Sequence, residues 1–222
     1  THPQSYYGNG AVSCDFPGLA RGIRDQELAG VRHVHFNGAG GNVTAGKYND
    51  GSPENRPVLA QRLASGMKAA WESAQKHEIK AGDVEWRIAP AALPPAAYLN
   101  EKEQRSILED EKADARQRLR GARNLAWLLR CQAGEKIDVT CLRLGPAYVL
   151  HLPGELFVEY QLAAQQMRPK SPVLMAAYGD YGPGYIGLEA SYGQGGYETG
   201  PVSRVAPGVE HSLMTAMREL LK

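Results

Sequence analysis

The stretch that decides the fold is Ile137-Asp138-Val139-Thr140-Cys141-Leu142-Arg143-Leu144-Gly145-Pro146-Ala147-Tyr148-Val149-Leu150-His151-Leu152-Pro153-Gly154-Glu155. Residues 137–144 read as one strand, with apolar and polar residues alternating over the first five positions, the period of a half-buried strand. Residues 147–152 read as a second strand, and Gly145-Pro146 supplies the tight turn between the two. Pro153-Gly154-Glu155 ends that strand, and residues 156–167 read as a helix. A short apolar strand follows over 173–178. Two strands, a helix and another strand in succession predict an α/β fold, with mixed sheets flanked by helices in a single domain.

Working outward, residues 209–221 close the chain as a helix with Leu213, Met217, Leu220 and Leu221 on its apolar face. Residues 100–132 read as one long, charged, amphipathic helix with a break expected near Gly121. Glu101 and Arg105 stand four apart with the acid first, as do Asp114 and Arg118, the favourable order for charge pairs on a helix. Leu93-Pro94-Pro95 breaks the pattern after a strand over 84–88. Ser52 and Pro53 suit the cap and first position of a helix whose face is Leu59, Leu63, Met67, Ala70 and Trp71. Residues 31–36 alternate like a strand and run into a glycine-rich turn over 37–46. The first 30 residues look irregular apart from a short helix over 16–25.

With 222 residues, 43% of them hydrophobic, the chain can bury one substantial core. Its 25 basic and 24 acidic residues balance. Neither a basic stripe for nucleic acid nor a polybasic run for an anionic membrane is present. No apolar run approaches the ~18–20 residues of a transmembrane segment. Cys14, Cys131 and Cys141 lack metal-binding spacing and read as buried free thiols. The start at Thr1-His2-Pro3-Gln4-Ser5 reads like the middle of a domain, so an upstream segment that completes it is expected.

Several segments carry candidate chemistry. Gly41-Asn42-Val43-Thr44-Ala45-Gly46-Lys47 has the spacing of a phosphate-binding loop. Tyr48 stands where Ser or Thr would hold magnesium, and no helix N-terminus follows, which excludes nucleotide binding. The turn still brings glycines and the Thr44 hydroxyl to the end of a strand. Asn42-Val43-Thr44 is also a formal glycosylation sequon, one that a packed turn would not leave accessible. His2, held extended by Pro3, is either a surface histidine or a metal ligand. Glu155 is either a carboxylate in the first turn of a helix, favoured by the dipole, or one aimed into a cleft at the carboxyl end of a strand. His33 and His35 share a strand face and read as structural. Tyr185-Ile186-Gly187-Leu188-Glu189-Ala190-Ser191-Tyr192-Gly193-Gln194-Gly195-Gly196-Tyr197 is either a connector or a loop that projects tyrosines into a site.

Three separated segments together resemble the catalytic domain of the neutral/alkaline, non-lysosomal ceramidases. His2-Pro3-Gln4-Ser5 is similar to the family's His-Pro-Thr-Ser segment, and Leu152-Pro153-Gly154-Glu155-Leu156 to its Leu-Pro-Gly/Ala-Glu-Phe segment. Tyr185 and Tyr197, with Glu198-Thr199-Gly200 after them, resemble two family tyrosines at a similar separation. The resemblance implies His2, Glu155 and Tyr185 as zinc ligands and Tyr197 as an oxyanion-side donor. Thr44 falls where the family carries a hydroxyl essential to amide cleavage, in a run where Asn42 replaces the family's Asp. The family's first zinc histidine and an active-site arginine lie upstream of its His-Pro segment. The resemblance makes residues 1–222 the C-terminal portion of the catalytic domain, and implies a secreted or periplasmic protein.

What it further implies is hydrolysis of an amide or lipid substrate, N-acylsphingosine going to fatty acid and sphingosine. Bound Zn2+ would lower the pKa of its water to about 7 and polarise the carbonyl. A Tyr197 hydroxyl donating to the oxyanion would contribute on the order of 3 kcal/mol if preorganised. Two alternatives stand beside this: a degenerate ceramidase-like domain with a binding or structural role, and a hydrolase of a non-lipid amide or ester on the same scaffold.

Overall fold

The computed structural model describes Ser5, Tyr6, residues 8–44 and residues 50–222. Contacts divide the chain into two compact units, Thr1–Asn37 with Val43–Glu78, and Gly38–Asn42 with Ile79–Lys222.

The first unit is built on two helices, α1 (Asp15–Glu27) and α2 (Asn55–Ser73). Phe16, Leu59 and Ala60 form its small core, with Leu63 packed against them. The Asp15 carboxylate accepts bonds from Ser5 Oγ at 2.6 Å, Tyr6 N at 2.9 Å and Phe16 N at 2.6 Å, which ties residues 5–6 to the start of α1. On α2, Leu59 is buried as expected. Further along, Ala64 is buried while Ala70 and Trp71 are exposed, so the apolar stripe leaves the core halfway.

The strand expected over 31–36 does not form. The segment pairs with no described strand, and Val34 and Phe36 are 73% and 64% exposed. An alternating pattern makes a strand only where a neighbour offers a ladder. His33 Nδ1 instead meets Asp25 Oδ1 at 2.8 Å, and His35 Nε2 meets Asn37 Oδ1 at 2.8 Å, in keeping with their structural reading.

The second unit holds the sheet. Its elements in chain order are β1 (Val84–Ala91), α3 (Glu101–Glu109), α4 (Ala115–Gln132), β2 (Ile137–Leu144), β3 (Ala147–His151), β4 (Glu155–Leu156), α5 (Val158–Met167), β5 (Val173–Ala176), β6 (Tyr185–Ile186), α6 (Glu189–Tyr192) and α7 (Val209–Leu220). The large sheet runs β1-β2-β3-β5. β1, β2 and β3 pair antiparallel, and β5 joins β3 in parallel after the α5 crossover. A mixed sheet flanked by helices is the α/β architecture that the sequence predicts.

Period two sorts the strands. Ala89, Val139, Cys141, Leu150 and Met175 are buried, where α7 packs on β1 and β2 and α5 on β5. Val84, Trp86, Ile88 and Leu174 are exposed. Burying a side chain such as Leu150 or Leu213 contributes about 1.5–3 kcal/mol.

The long helix expected over 100–132 is two. The break lies at residues 110–114, not at Gly121, because Asp114 caps α4. Its carboxylate accepts from Gln117 N while the Gln117 side chain accepts from Asp114 N, both at 2.8 Å, a reciprocal capping box. Asp114 is therefore not the partner of Arg118, which reaches back to Asp110 O at 2.9 Å. Glu101 and Arg105 do pair, at 2.8 Å. Gly121 is inside α4 where a Cβ would meet Ile107 Cγ2 at 3.1 Å, so it lets α3 and α4 approach. The three cysteines are free, and Cys14 is exposed rather than buried. No described helix is long and apolar enough to cross a membrane.

Candidate functional site

Two very short strands organise the site. β4 and β6 pair in parallel so that Glu155 stands opposite Tyr185. Glu155 N donates to Gly184 O at 2.9 Å, and Phe157 N to Ile186 O at 3.0 Å. Gly154, at φ 65°, makes this crossing possible, since a Cβ there would lie 2.6 Å from Gly184 O.

The glycine-rich turn closes over the other side of β4. Gly41 N donates to Leu156 O at 2.7 Å, and a Cβ on Gly41 would sit 2.6 Å from Glu155 O. Asn42 then accepts from Val158 N at 2.8 Å and donates to Glu159 at 2.9 Å. It supplies α5 with the N-terminal cap that Phe157 cannot. The sequon asparagine is thus engaged in the fold.

Glu155 does not open a helix. It belongs to β4, ahead of the first turn of α5, which is occupied by Glu159. The helix dipole is thus not what holds it; the second reading, a carboxylate aimed from a strand end, fits its place. Glu155 is only 5% exposed, and a buried carboxylate requires donors. Tyr181 Oη donates to Glu155 Oε2 at 2.7 Å.

Tyrosines surround that carboxylate. Tyr178 takes a left-handed backbone, φ 65°, fixed by its N–H on Gly154 O at 2.9 Å. Its ring stacks on Tyr181 with centroids 6.2 Å apart. Tyr181 is set by the turn at Asp180, whose carboxylate accepts from Gly182 N at 2.9 Å and from Arg130 at 2.8 Å. Tyr185 meets Tyr197 edge to face, centroids 5.8 Å apart and planes at 78°. Burial pushes the phenol pKa of Tyr178, Tyr181 and Tyr185 well up, and the negative Glu155 beside them adds to the shift. All three hold their protons at neutral pH and can donate.

Tyr197 is 67% exposed and lines a cavity of about 370 Å³ together with Tyr181, Tyr185, Arg116, Arg123 and Arg204.

Of the residues singled out in the sequence, Glu155, Tyr185 and Tyr197 come together. Thr44 belongs to the first unit and is exposed. His2 lies outside the described residues, as does the turn at 45–49. Among the described residues no three His, Cys, Asp or Glu side chains gather closely enough to hold a metal ion. Glu155 and Tyr185 offer a carboxylate and a phenol, both oxygen donors, and an ion such as zinc needs at least one more protein ligand beside them. Tyr178, Tyr181 and Arg204 were missed. Tyr178-Gly179-Asp180-Tyr181 follows directly on β5, so a strand end rich in aromatics was a readable signal for the first two.

No protein-family model and no curated protein matches the sequence. Solved structures do. The neutral ceramidase from Pseudomonas aeruginosa superposes with a TM-score of 0.64 at 15% identity, over 100% of this chain and 42% of that one. A ceramidase complexed with C2 gives a TM-score of 0.65 at 14% identity, over 100% of this chain and 44% of that one. This chain therefore spans less than half the length of either, and at such identities the likeness is one of fold. The chain has a ceramidase-like fold.

Proposed function

We propose that this chain is a ceramidase-like catalytic domain and works as a hydrolase of linear amides at Glu155. The observation that carries the reading is the pairing of Glu155 with Tyr185 across β4 and β6, with Tyr197 against Tyr185. Those are the residues that the family resemblance names, and the fold similarity to two ceramidases supports the same reading. N-acylsphingosine is the substrate this likeness suggests, and a non-lipid amide or ester on the same scaffold is the alternative.

His2, Glu155 and Tyr185 are the residues that would hold zinc, which supplies a polarised carbonyl and a water with pKa near about 7. Tyr185 must give up its proton to join such a site, against a pKa that burial and Glu155 hold high. Binding therefore releases a proton. Tyr181 keeps the Glu155 carboxylate oriented through its 2.7 Å bond. Tyr197, exposed and lining the cavity, donates to the oxyanion as charge develops on the carbonyl oxygen. Thr44 orients water or amide.

The test is metal content and turnover in two variants. Glu155→Gln loses metal while keeping the fold; unchanged metal would remove Glu155 from the ligand set. Tyr197→Phe keeps metal and slows hydrolysis; an equal rate would remove its oxyanion role. The second reading, a degenerate domain with a binding or structural role, rests on the altered turn, in which Asn42 replaces the family's Asp and caps α5. It predicts no zinc uptake by the wild-type chain.

A further inference from the structure

The cavity beside Tyr197 has an electrostatic imbalance. Arg116, Arg120 and Arg123 all line it, and their spacing puts them on one face of α4. Arg204 lines it too and is only 9% exposed. No acidic side chain lines the cavity. Among the described residues, none of the four arginines has a carboxylate within 4.0 Å. Arg130, about two turns further along the helix, is matched by Asp180 at 2.8 Å, so the excess is local to this wall.

Arg204 is the sharpest part of the imbalance. Nε donates to Asn124 Oδ1 at 2.8 Å and Nη1 to Gly182 O at 3.3 Å. Both acceptors are neutral. A buried cation without a counter-charge is costly. Burial pushes its pKa down, and the charge of Arg123 pushes the same way. An anion between Arg123 and Arg204 would relieve both, and a guanidinium pair grips a carboxylate or phosphate in a forked geometry.

We propose that this cavity is an anion subsite opening onto the Glu155 and Tyr197 site, and that the amide cleaved there carries a carboxylate or phosphate group. The substrate half of this rests on the hydrolase reading above; the binding half does not. The charge of its lining, rather than its volume of about 370 Å³, is what selects an anionic group. Sphingosine amides carry no such charge, so a charged and a neutral amide distinguish the two substrate classes.

The binding half is tested by calorimetric titration with inorganic phosphate at physiological salt. The wild-type chain binds it, Arg123→Gln and Arg204→Lys weaken binding at least tenfold, and Arg105→Gln on α3 leaves it unchanged. Arg123 is exposed, so its variant folds whatever Arg204→Lys does. No binding by the wild type, or equal binding by Arg123→Gln, would overturn the subsite. Binding to phosphatidylglycerol vesicles without binding to phosphate would overturn it as well, since the wall would then be a membrane-facing surface. The substrate half is tested with N-hexanoylglycine against N-hexanoylethanolamine. The expected preference for the glycine amide is at least tenfold in kcat/KM, shrinking in Arg123→Gln. Equal rates would overturn the charged-substrate claim. Phosphate binding with neither amide cleaved would sink the hydrolase reading and leave the subsite standing.

Discussion

Replacing Gly41 with alanine probes the contact on which the position of Glu155 depends. The new Cβ would sit 2.6 Å from Glu155 O, 2.8 Å from Leu156 O and 3.0 Å from Leu156 C. All three atoms are backbone of β4, so no side chain can swing aside. Reaching ordinary contact at 3.4 Å requires the turn to move away by about 0.8 Å (3.4 less 2.6). That would stretch the 2.7 Å bond from Gly41 N to Leu156 O beyond the usual range of about 3.2 Å. Overpacking costs about 1–3 kcal/mol, and the lost backbone bond about 0.5–1.5 kcal/mol. Together the variant loses about 1.5–4.5 kcal/mol, read as a lower urea midpoint at constant slope. Gly66→Ala on α2 is the control, since nothing lies within 4 Å of its Cβ, and it gains roughly 0.5–1 kcal/mol from helix preference. A Gly41→Ala protein within about 0.5 kcal/mol of wild type, the range of an ordinary surface change, would refute the close packing of this turn on β4.

Alkaline titration of tyrosinate absorbance gives a second check. Burial raises the phenols of Tyr160, Tyr178, Tyr181 and Tyr185, so they stay protonated when the unfolded chain ionises near about pH 10. Stability is therefore whole below that pH and falls as pH rises above it; simultaneous titration of all tyrosines in the folded protein would contradict this. At the acid end, the hydrogen bond from Arg130 holds the Asp180 carboxyl below its ordinary range. Its contribution is whole above about pH 4 and is lost as pH falls through the folded value, so Asp180→Asn flattens the acid limb. An unchanged limb would remove that pair from the account. Asn42→Ala costs about 1 kcal/mol as a lost helix cap, and no change would mean that water caps α5 equally well.

How much of this was legible in the sequence follows the length of each signal. β2, β3 and their Gly145-Pro146 turn were readable because two apolar-rich runs, the first alternating over 137–141, flank a tight-turn pair. The closing helix was readable because Leu213, Met217 and Leu220 repeat at helical spacing. β4 and β6 were not, because two-residue strands carry no period, and it is they that bring Glu155 to Tyr185. The break between α3 and α4 was written in Asp114-x-x-Gln117, a capping box overlooked inside a run of charges. The alternation over 31–36 misled because pattern says nothing of whether a partner strand exists. Arg204 was invisible: in sequence it is one arginine among many, and only its burial sets it apart.

The most direct test of the central claim is amine release from short N-acyl amides by the zinc-supplemented chain, beside the Glu155→Gln variant. The account predicts zinc-dependent release that the variant loses while its circular dichroism stays unchanged. Release at equal rates in the two proteins would contradict it.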